Sequence, residues 1–250
     1  MKANVYSTNG SVLKNIVLPI FFSAAPRADL VKRAVLSEES KMYQPKGNFR
    51  LAGLLTSARY RGRKEDFGTV KNKGIPHLPH EVLPKGQLGK VKRVPHAVKG
   101  RRAHPPKPQK KIVELINKKE YLLALASALS MSVHKDYVAA RLHKKKLNIE
   151  VPIVLEGSFE KITKAADVLK LFEALKLDSL IEHSKKNGSK APLIVVSNSS
   201  STKAAANLAG VDVVKASELK VRDLAPGTHP GRLTLFSENA ISEIAKRFEI

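Results

Sequence analysis

The stretch LIVVSNSSSTKAAANLAGVDVV, residues 193–214, decides the fold class. It begins and ends with short runs rich in β-branched residues, LIVV (193–196) and VDVV (211–214), which predict strands. Between them, the pattern predicts a helix from Thr202 to Leu208, ended by a glycine. Short apolar strands that alternate with helices are typical of a mostly parallel sheet.

The same alternation continues on both sides of this stretch. VPIVLE (151–156) and LTLF (233–236) predict two further strands. Helical spacing predicts a helix over residues 163–177 and a final helix that follows the N-cap Ser237 and ends near Phe248. We therefore predict an α/β fold, with a mostly parallel sheet that helices cover on both faces.

The N-terminal part of the chain predicts a hairpin and a helix. Two apolar runs, 4–7 and 11–19, flank Asn9 and Gly10, a dipeptide that favours a type I′ turn. Residues 28–36 then have the spacing of a short helix. This region precedes the part of the chain that carries most of the charge.

Helical spacing returns after the charged part. Ile112, Leu115 and Ile116 share one face of a predicted helix. Asn117 is a suitable N-cap for the helix that follows, and Glu120 stands three residues later, as in a capping box.

Residues 46–111 carry most of the positive charge of the chain. This segment holds 18 Lys and Arg against three acids, which gives +15 of the net +23. It also holds eight of the 14 glycines and seven of the 14 prolines, and neither strand nor helix spacing persists in it. This composition predicts a segment that is disordered when free and ordered by a polyanion. We expect a long basic loop inserted into a single α/β domain of residues 1–250, with a linker between two domains as the alternative.

The composition also limits the possible partners and compartment. A compact chain with a net charge of +23 repels itself unless a polyanion neutralises it, so nucleic acid is the first candidate partner and an anionic membrane surface the second. The chain has no cysteine, which excludes disulfides, thiolate zinc sites and a cysteine nucleophile. Residues 16–25, IVLPIFFSAA, predict a buried strand and a turn rather than a signal peptide, and no apolar run has the length of a membrane span. We expect a cytoplasmic protein without membrane contact.

The sequence contains no complete catalytic or cofactor motif. A G-x-G-x-x-G fingerprint is absent, and Gly86 and Lys90 belong to an incomplete match to a phosphate-binding loop. His77 and His80 have the spacing of a metal pair, but the flanking prolines prevent a helix, so contact with RNA or water is the favoured interpretation. The serine-rich run 197–202 precedes a helix, where it either caps the helix or holds a phosphate. We expect no cofactor, no metal and no enzymatic activity.

The basic side chains of residues 46–111 are the candidate binding groups instead. Arginine offers paired donors to phosphate, and Tyr60 and Phe67 are suited to stacking on unpaired bases. Gly62 and Gly100 allow the backbone to approach a phosphate. The candidate RNA-binding residues are Lys46, Arg50, Arg59, Tyr60, Arg61, Arg63, Lys64, Lys71, Lys73, Lys90, Lys92, Arg93, Lys99, Arg101, Arg102 and His104.

Several stretches, in order along the whole chain, resemble the universal ribosomal protein four family of archaeal and eukaryotic type. They are MKANVYSTNG (1–10), LPIFFSAAPRADLVKRAV (18–35), YQPKGNFRLAGLLTSA (43–58), RVPHAVKGRRAHPPK (93–107) and the closing stretch 205–245. The resemblance is strongest in RVPHAVKGRRAHPPK.

This resemblance implies a structural constituent of the large ribosomal subunit that binds and organises rRNA during assembly and has no enzymatic activity. It implies that the long loop enters the rRNA and helps line the nascent-peptide exit tunnel, with its tip within residues 65–90. By position, the outgoing limb carries Arg59, Arg61 and Arg63, and the returning limb carries Lys99, Arg101, Arg102 and His104. The implied partners are large-subunit rRNA, neighbouring ribosomal proteins and, near the tip, the nascent peptide.

Two other classes of protein remain open from the residues alone. An RNA-modifying enzyme with a basic RNA-binding arm would need a cofactor loop or a catalytic cluster, and it would bind a methyl donor or a nucleotide. A DNA-compacting basic protein would bind duplex DNA as tightly as folded rRNA.

Overall fold

The computed structural model describes residues 1–142, 150–190, 192–197 and 202–248. The chain forms two compact units, one made of Met1–Met42 with Val113–Ile250 and the other of Tyr43–Ile112. The strands of the described residues are β1 (Lys2–Tyr6), β2 (Val12–Val17), β3 (His80–Val82), β4 (Leu88–Val91), β5 (Ile153–Leu155), β6 (Leu193–Val196), β7 (Asp212–Lys215) and β8 (Thr234–Ser237). The helices are α1 (Ala28–Ser40), α2 (Lys118–Val133), α3 (Lys135–Arg141), α4 (Ala165–Ala174), α5 (Asp178–Asn187), α6 (Thr202–Ala206), α7 (Val221–Leu224) and α8 (Glu238–Lys246).

The first unit is built on a six-stranded sheet in the order β2-β1-β5-β8-β6-β7. β1 and β2 pair antiparallel, whereas β1–β5, β5–β8, β8–β6 and β6–β7 pair parallel. The mostly parallel sheet that the sequence predicts is therefore confirmed. The second unit contains a separate two-stranded antiparallel sheet, β3–β4.

Helices cover both faces of the six-stranded sheet, as predicted. Successive residues of β6 alternate between the two cores, since Leu193 and Val195 belong to one cluster and Ile194 and Val196 to the other. α1, α2, α7 and α8 supply buried side chains to the first cluster, and α3, α4, α5 and α6 supply them to the second. Strands that are buried on both faces explain why the sequence shows continuous apolar runs rather than alternation.

Residues 112–116 are not helical, so the helix predicted there is wrong. Leu115 is 84% exposed and joins no core. The start of the following helix was predicted correctly, because α2 begins at Lys118 after the N-cap Asn117. Glu120 does not complete a capping box, since its carboxylate forms an ion pair with Arg33 at 2.8 Å.

The N-terminal hairpin forms with a different turn from the one predicted. Gly10 has a φ of +82° but Asn9 does not share the left-handed conformation that a type I′ turn requires at both positions. Gly10 N–H donates to the Ser7 carbonyl at 3.0 Å, and a β-carbon on Gly10 would lie 2.7 Å from that of Ala174. The glycine is therefore needed both for its conformation and for its close approach to α4.

The buried strand predicted within residues 16–25 is wrong in part. β2 lies at the edge of the sheet and is mostly exposed. Within β2 only Ile16 is partly buried; full burial begins at Leu18 and continues at Phe21 and Phe22, which enter the core from a turn of 3₁₀-helix over Ile20–Ser23. Phe22 packs edge-on against Phe236 of β8, with ring centroids 5.4 Å apart. These two aromatic side chains carry the apolar character that the sequence assigned to a strand.

Candidate nucleic-acid interface

The unit Tyr43–Ile112 has a small buried centre of its own. Ala58 and Val70 are fully buried, and His80 is nearly so. Arg59 N–H donates to the His80 carbonyl at 3.1 Å, and Val70 N–H donates to the Arg61 carbonyl at 3.2 Å. These bonds join three separate stretches of the segment, so the unit has internal structure that its composition did not predict.

His80 occupies the middle of this centre. Its Nδ1 lies 2.9 Å from the Gly89 carbonyl oxygen, and its Nε2 lies 3.0 Å from the Pro76 carbonyl oxygen. Both partners are backbone carbonyl oxygens, and Gly89 belongs to β4. His80 therefore holds the β3–β4 hairpin, and the interpretation that it contacts RNA or water is wrong. His77 is exposed and does not share this role.

The two limbs of the unit touch at a pair of glycines. Gly53 has a φ of +76°, and a β-carbon on it would lie 2.5 Å from the Gly100 carbonyl oxygen. A β-carbon on Gly47 would lie 3.2 Å from the Pro108 side chain. Because no side chain fits between these backbones, the outgoing and returning limbs run side by side here.

Three arginines line one cleft beside this contact. The cleft has a volume of about 270 Å³ and is lined by Asn48, Arg50, Ala52, Arg101, Arg102 and Pro105. Arg50 comes from the outgoing limb, and Arg101 and Arg102 come from the returning limb. All three side chains are exposed. Arginines that line the same cleft can offer paired donors to phosphate oxygens there.

Most of the predicted RNA-binding residues lie on the surface of the unit, but three of them also support it. The Arg61 guanidinium donates to the Phe67 carbonyl at 2.5 Å, and Lys92 Nζ donates to the Val98 carbonyl at 3.2 Å. Arg93 Nη1 donates to the Ala58 carbonyl at 3.2 Å. The other predicted residues are exposed, namely Lys46, Arg50, Arg59, Tyr60, Arg63, Lys64, Lys71, Lys73, Lys90, Lys99, Arg101, Arg102 and His104.

The two aromatic candidates each lie against a glycine. A β-carbon on Gly62 would lie 2.8 Å from the Tyr60 ring, and one on Gly86 would lie 2.5 Å from the Phe67 ring. Tyr60 is half exposed and Phe67 is 75% exposed. Each ring therefore has one side supported by backbone and a large area open to solvent, an arrangement suited to stacking on a base.

The cations of this unit are not neutralised from within. In the part of the chain that the structure describes, the ion pairs join side chains of the first unit, and none involves residues 43–112. Three acids cannot balance 18 Lys and Arg in any arrangement. The unit therefore presents a strongly positive surface to whatever binds it.

The sheet of the first unit holds a carboxylate where α/β enzymes hold ligands, outside the carboxyl ends of the parallel strands. Glu160 is buried after β5, and its Oε1 accepts hydrogen bonds from Ser197 N–H at 2.9 Å and from Ser237 Oγ at 2.5 Å. Its Oε2 accepts from Ser197 Oγ at 2.7 Å. Burial disfavours the charged form, but the bonds from Ser237 and Ser197 outweigh it, so the pKa of Glu160 lies below its usual value. Residues 198–201 of the serine-rich run lie outside the described residues.

The described ranges contain no group of three or more His, Cys, Asp or Glu side chains placed to hold a metal ion. None of the helices in them is both long and apolar enough to cross a membrane.

A parallel α/β domain that carries a glycine- and proline-rich, acid-poor basic unit is the architecture of a polyanion-binding protein. The chain belongs to the ribosomal protein L4/L1 family, whose model matches residues 16–247. As a member of this family it is a cytoplasmic, ribosome-associated protein with a structural and not an enzymatic role.

Archaeal proteins named large ribosomal subunit protein uL4 match almost the whole chain. The protein from Methanococcus vannielii is 40% identical, over 99% of this chain and 100% of its own length. The one from Haloarcula marismortui is 38% identical over the same shares. The one from Sulfurisphaera tokodaii is 37% identical, over 99% of this chain and 95% of its own length.

Proposed function

We propose that the chain, as a structural constituent of the large ribosomal subunit, binds and organises large-subunit rRNA through residues 46–111. The observation that carries this proposal is the cleft that Arg50, Arg101 and Arg102 line, without an acidic partner for any of them among the described residues. In this proposal, residues 46–111 are a loop inserted into a single α/β domain, and the rRNA completes its order.

The proposal assigns different tasks to different groups of the basic unit. The cleft arginines bind phosphate oxygens, because guanidinium groups from both limbs can donate hydrogen bonds to the same rRNA phosphate. Tyr60 and Phe67 stack on unpaired bases with the ring surface that the backbone leaves open. Arg61, Lys92 and Arg93 hold the unit together with one donor each and direct their remaining donors to the rRNA.

The test is the dependence of rRNA affinity on salt. Each phosphate contact contributes a slope of about −0.7 to −0.9 in a plot of log K against log salt. The full chain with Arg50→Gln, Arg101→Gln and Arg102→Gln should therefore bind a transcript of large-subunit rRNA with a slope reduced by about 2 to 3. The matched control is Lys161→Gln, Lys185→Gln and Lys186→Gln, which removes three exposed cations from the first unit.

Two results of this experiment would contradict the proposal. One is an equal reduction of the slope by both triple variants, since this would mean that charge alone matters and the cleft does not. The other is equal affinity of the unchanged protein for rRNA and for duplex DNA of the same length, which would favour a DNA-compacting role.

We further propose that the tip of the loop helps line the nascent-peptide exit tunnel. Residues 71–74 form an exposed turn, and a loop of 66 residues is long enough to reach up to about 100 Å from its ends. The test places a photoreactive amino acid at Asn72 and stalls translation on ribosomes that contain the variant. A crosslink to the nascent peptide is expected, and a crosslink to rRNA alone would contradict tunnel lining while leaving rRNA binding intact.

A further inference from the structure

The two edges of the six-stranded sheet differ in their charge. The edge strand β7 borders a cleft of about 530 Å³ whose charged lining residues are Glu39, Lys190, Asp212, Arg222, Asp223 and Arg232. Charged side chains along an edge keep it from pairing with another chain. The opposite edge strand, β2, has the sequence VLKNIV with Lys14 as its one charged residue.

The backbone of β2 offers hydrogen-bonding groups on its outer side. In an antiparallel pair, residues that bond to the neighbouring strand alternate with residues that point away from it. Leu18 N–H donates to the Met1 carbonyl at 2.9 Å, in register with the β1–β2 pairs. Ile16 therefore also bonds to β1, whereas the N–H and C=O groups of Asn15 and Val17 point away. Among the described residues, β1 is the sheet neighbour of β2, and no strand lies on its outer side.

The side chains along this edge form an aliphatic patch. Val12 and Leu13 are more than half exposed, Val17 is 73% exposed, and Ile20 is 90% exposed. Leu13 is the extra residue of a β-bulge in β2, since Lys14 pairs with Val5 and Val12 pairs with Tyr6. Single exposed apolar residues are ordinary in soluble proteins, but four of them within residues 12–20 form a surface that a partner would cover.

The charge of the edge argues against RNA as that partner. Lys14 Nζ lies 2.6 Å from Glu238 Oε1, so the one cation of β2 is already paired. Phosphates need unpaired cations and cannot satisfy outward C=O groups, which accept hydrogen bonds as phosphate oxygens do. A helix has most of its backbone groups bonded internally and cannot satisfy them either. An extended peptide supplies both donors and acceptors at the spacing of a strand.

We propose that β2 is the docking edge for an extended, uncharged and aliphatic segment of a neighbouring protein in the large subunit. The segment adds to the sheet as one further strand, and its side chains cover the patch that Leu13 and Val17 expose. The proposal rests on the part of the proposed function that puts the chain in the large subunit, and it does not depend on the ligand of the basic unit.

The first test is photocrosslinking within purified large subunits. The full chain carries a photoreactive phenylalanine derivative at Val17, and the crosslinked partner is identified by mass spectrometry. The expected product joins Val17 to an uncharged, aliphatic segment of another ribosomal protein. A crosslink to rRNA, a crosslink to a second copy of this chain, or no crosslink would each overturn the proposal. Absence of the chain from the subunits would overturn the proposed function as well.

The second test measures what the edge contributes to assembly. Leu13→Lys with Val17→Lys places two charges where the partner strand would bury them. The amount of the neighbouring protein in gradient-purified subunits should fall by at least about tenfold, which is equivalent to 1.4 kcal/mol of binding free energy. Leu123→Lys on α2, where Leu123 is 62% exposed, is the control and should leave the composition unchanged. Equal composition of the two variant subunits would overturn the proposal, and thermal melting of the free chains verifies that both fold.

Discussion

Glu160 is the residue at which three strand ends of the sheet meet. Its carboxylate follows β5 and accepts hydrogen bonds from Ser197, after β6, and from Ser237, the last residue of β8. Ser237 is the N-cap residue of α8 by position, yet its hydroxyl donates to Glu160 and accepts no hydrogen bond from the N–H groups of the helix. One buried anion thus joins elements that are 37 and 77 residues away in sequence.

Glu160→Gln should lower the free energy of unfolding by about 1–3 kcal/mol at neutral pH, because an amide cannot accept from every donor around it. The folded-state pKa of Glu160 is below its unfolded value of about 4.3, so its contribution is present above that pH and is lost as the pH falls through the folded pKa. Denaturant unfolding measured from neutral to acid pH should show that the free energy of unfolding falls less with pH in Glu160→Gln than in the unchanged protein. Glu156→Gln is the control, since Glu156 accepts from the nearby Ser158 hydroxyl, and an equal effect of both changes would contradict this account.

Gly53→Ala should weaken rRNA binding through the shape of the basic unit. Alanine in the left-handed conformation is disfavoured by about 1–2 kcal/mol, and here its β-carbon would also meet the Gly100 carbonyl. Gly74→Ala is a matched control, because Gly74 has a φ of +65° but no atom within 4 Å of the added carbon. Affinity for an rRNA transcript should fall for Gly53→Ala and stay near the original for Gly74→Ala. A similar loss in both would mean that the limb contact does not shape the interface.

Single residues also show what the sequence could and could not predict. The exposed cations were predictable, because their excess over acids is visible in composition. The roles of His80, Gly53 and Glu160 were not, because each depends on a partner that the fold brings close and that no local pattern indicates. His80, for example, bonds to carbonyl groups of Pro76 and Gly89 only once the β3–β4 hairpin has formed.

At the scale of elements, α2 shows why an apolar stripe is an incomplete guide. The apolar stripe that the sequence predicts for this helix consists of Leu122, Leu125, Ala126 and Leu129. The helix in fact buries every residue from Ala124 to Val133, including three serines that the stripe does not contain. Ser130 Oγ donates to the Ala24 carbonyl at 2.7 Å, and Ser127 Oγ accepts from Arg27 N–H at 2.7 Å. These bonds connect α2 to the segment that precedes α1.

Ser130→Ala should lower the free energy of unfolding by about 1–3 kcal/mol, because it leaves a carbonyl of another element without its donor. Ser132→Ala is the matched control, since its hydroxyl donates within the same helix, to the Leu129 carbonyl at 2.7 Å. Denaturant melts of the two variants measure the difference. If Ser132→Ala is as destabilising as Ser130→Ala, the loss comes from burial of the serine and not from the connection between elements.

Strand positions were predicted closely, and the helix at residues 112–116 was not. LIVV forms β6 as predicted, and the strands predicted at 211–214 and 233–236 begin one residue later. The sheet constrains these runs because β6 and β8 are buried on both faces and β7 is partly buried beside β6. Residues 112–116 have helical spacing, but Leu115 is exposed while Ile116 packs against the core, and spacing alone does not stabilise a helix of this length.

At the scale of the whole molecule, the hydrophobic cores lie in one unit and most of the unbalanced positive charge lies in the other. The first unit contains the hydrophobic cores and the ion pairs, whereas the unit Tyr43–Ile112 contains 18 of the 45 Lys and Arg residues and a buried centre of a few side chains. A small centre resists the repulsion among so many cations poorly. The proposed rRNA partner would supply the missing negative charge. The unit Tyr43–Ile112 should therefore be more stable in the ribosome than in the free chain.

This dependence predicts how the chain leaves the ribosome. In sucrose gradients of cell lysate, the tagged chain should sediment with the large subunit and resist a high-salt wash, because rRNA phosphates would surround the loop in the proposed interface. Arg50→Gln with Arg101→Gln and Arg102→Gln should be released at lower salt than Lys161→Gln with Lys185→Gln and Lys186→Gln, although both variants lose three charges. Release of the unchanged chain at low salt would mean that the loop lies on the surface of the subunit. Equal release of the two variants would mean that attachment depends on the first unit, and the cleft would then have no special part in holding the rRNA.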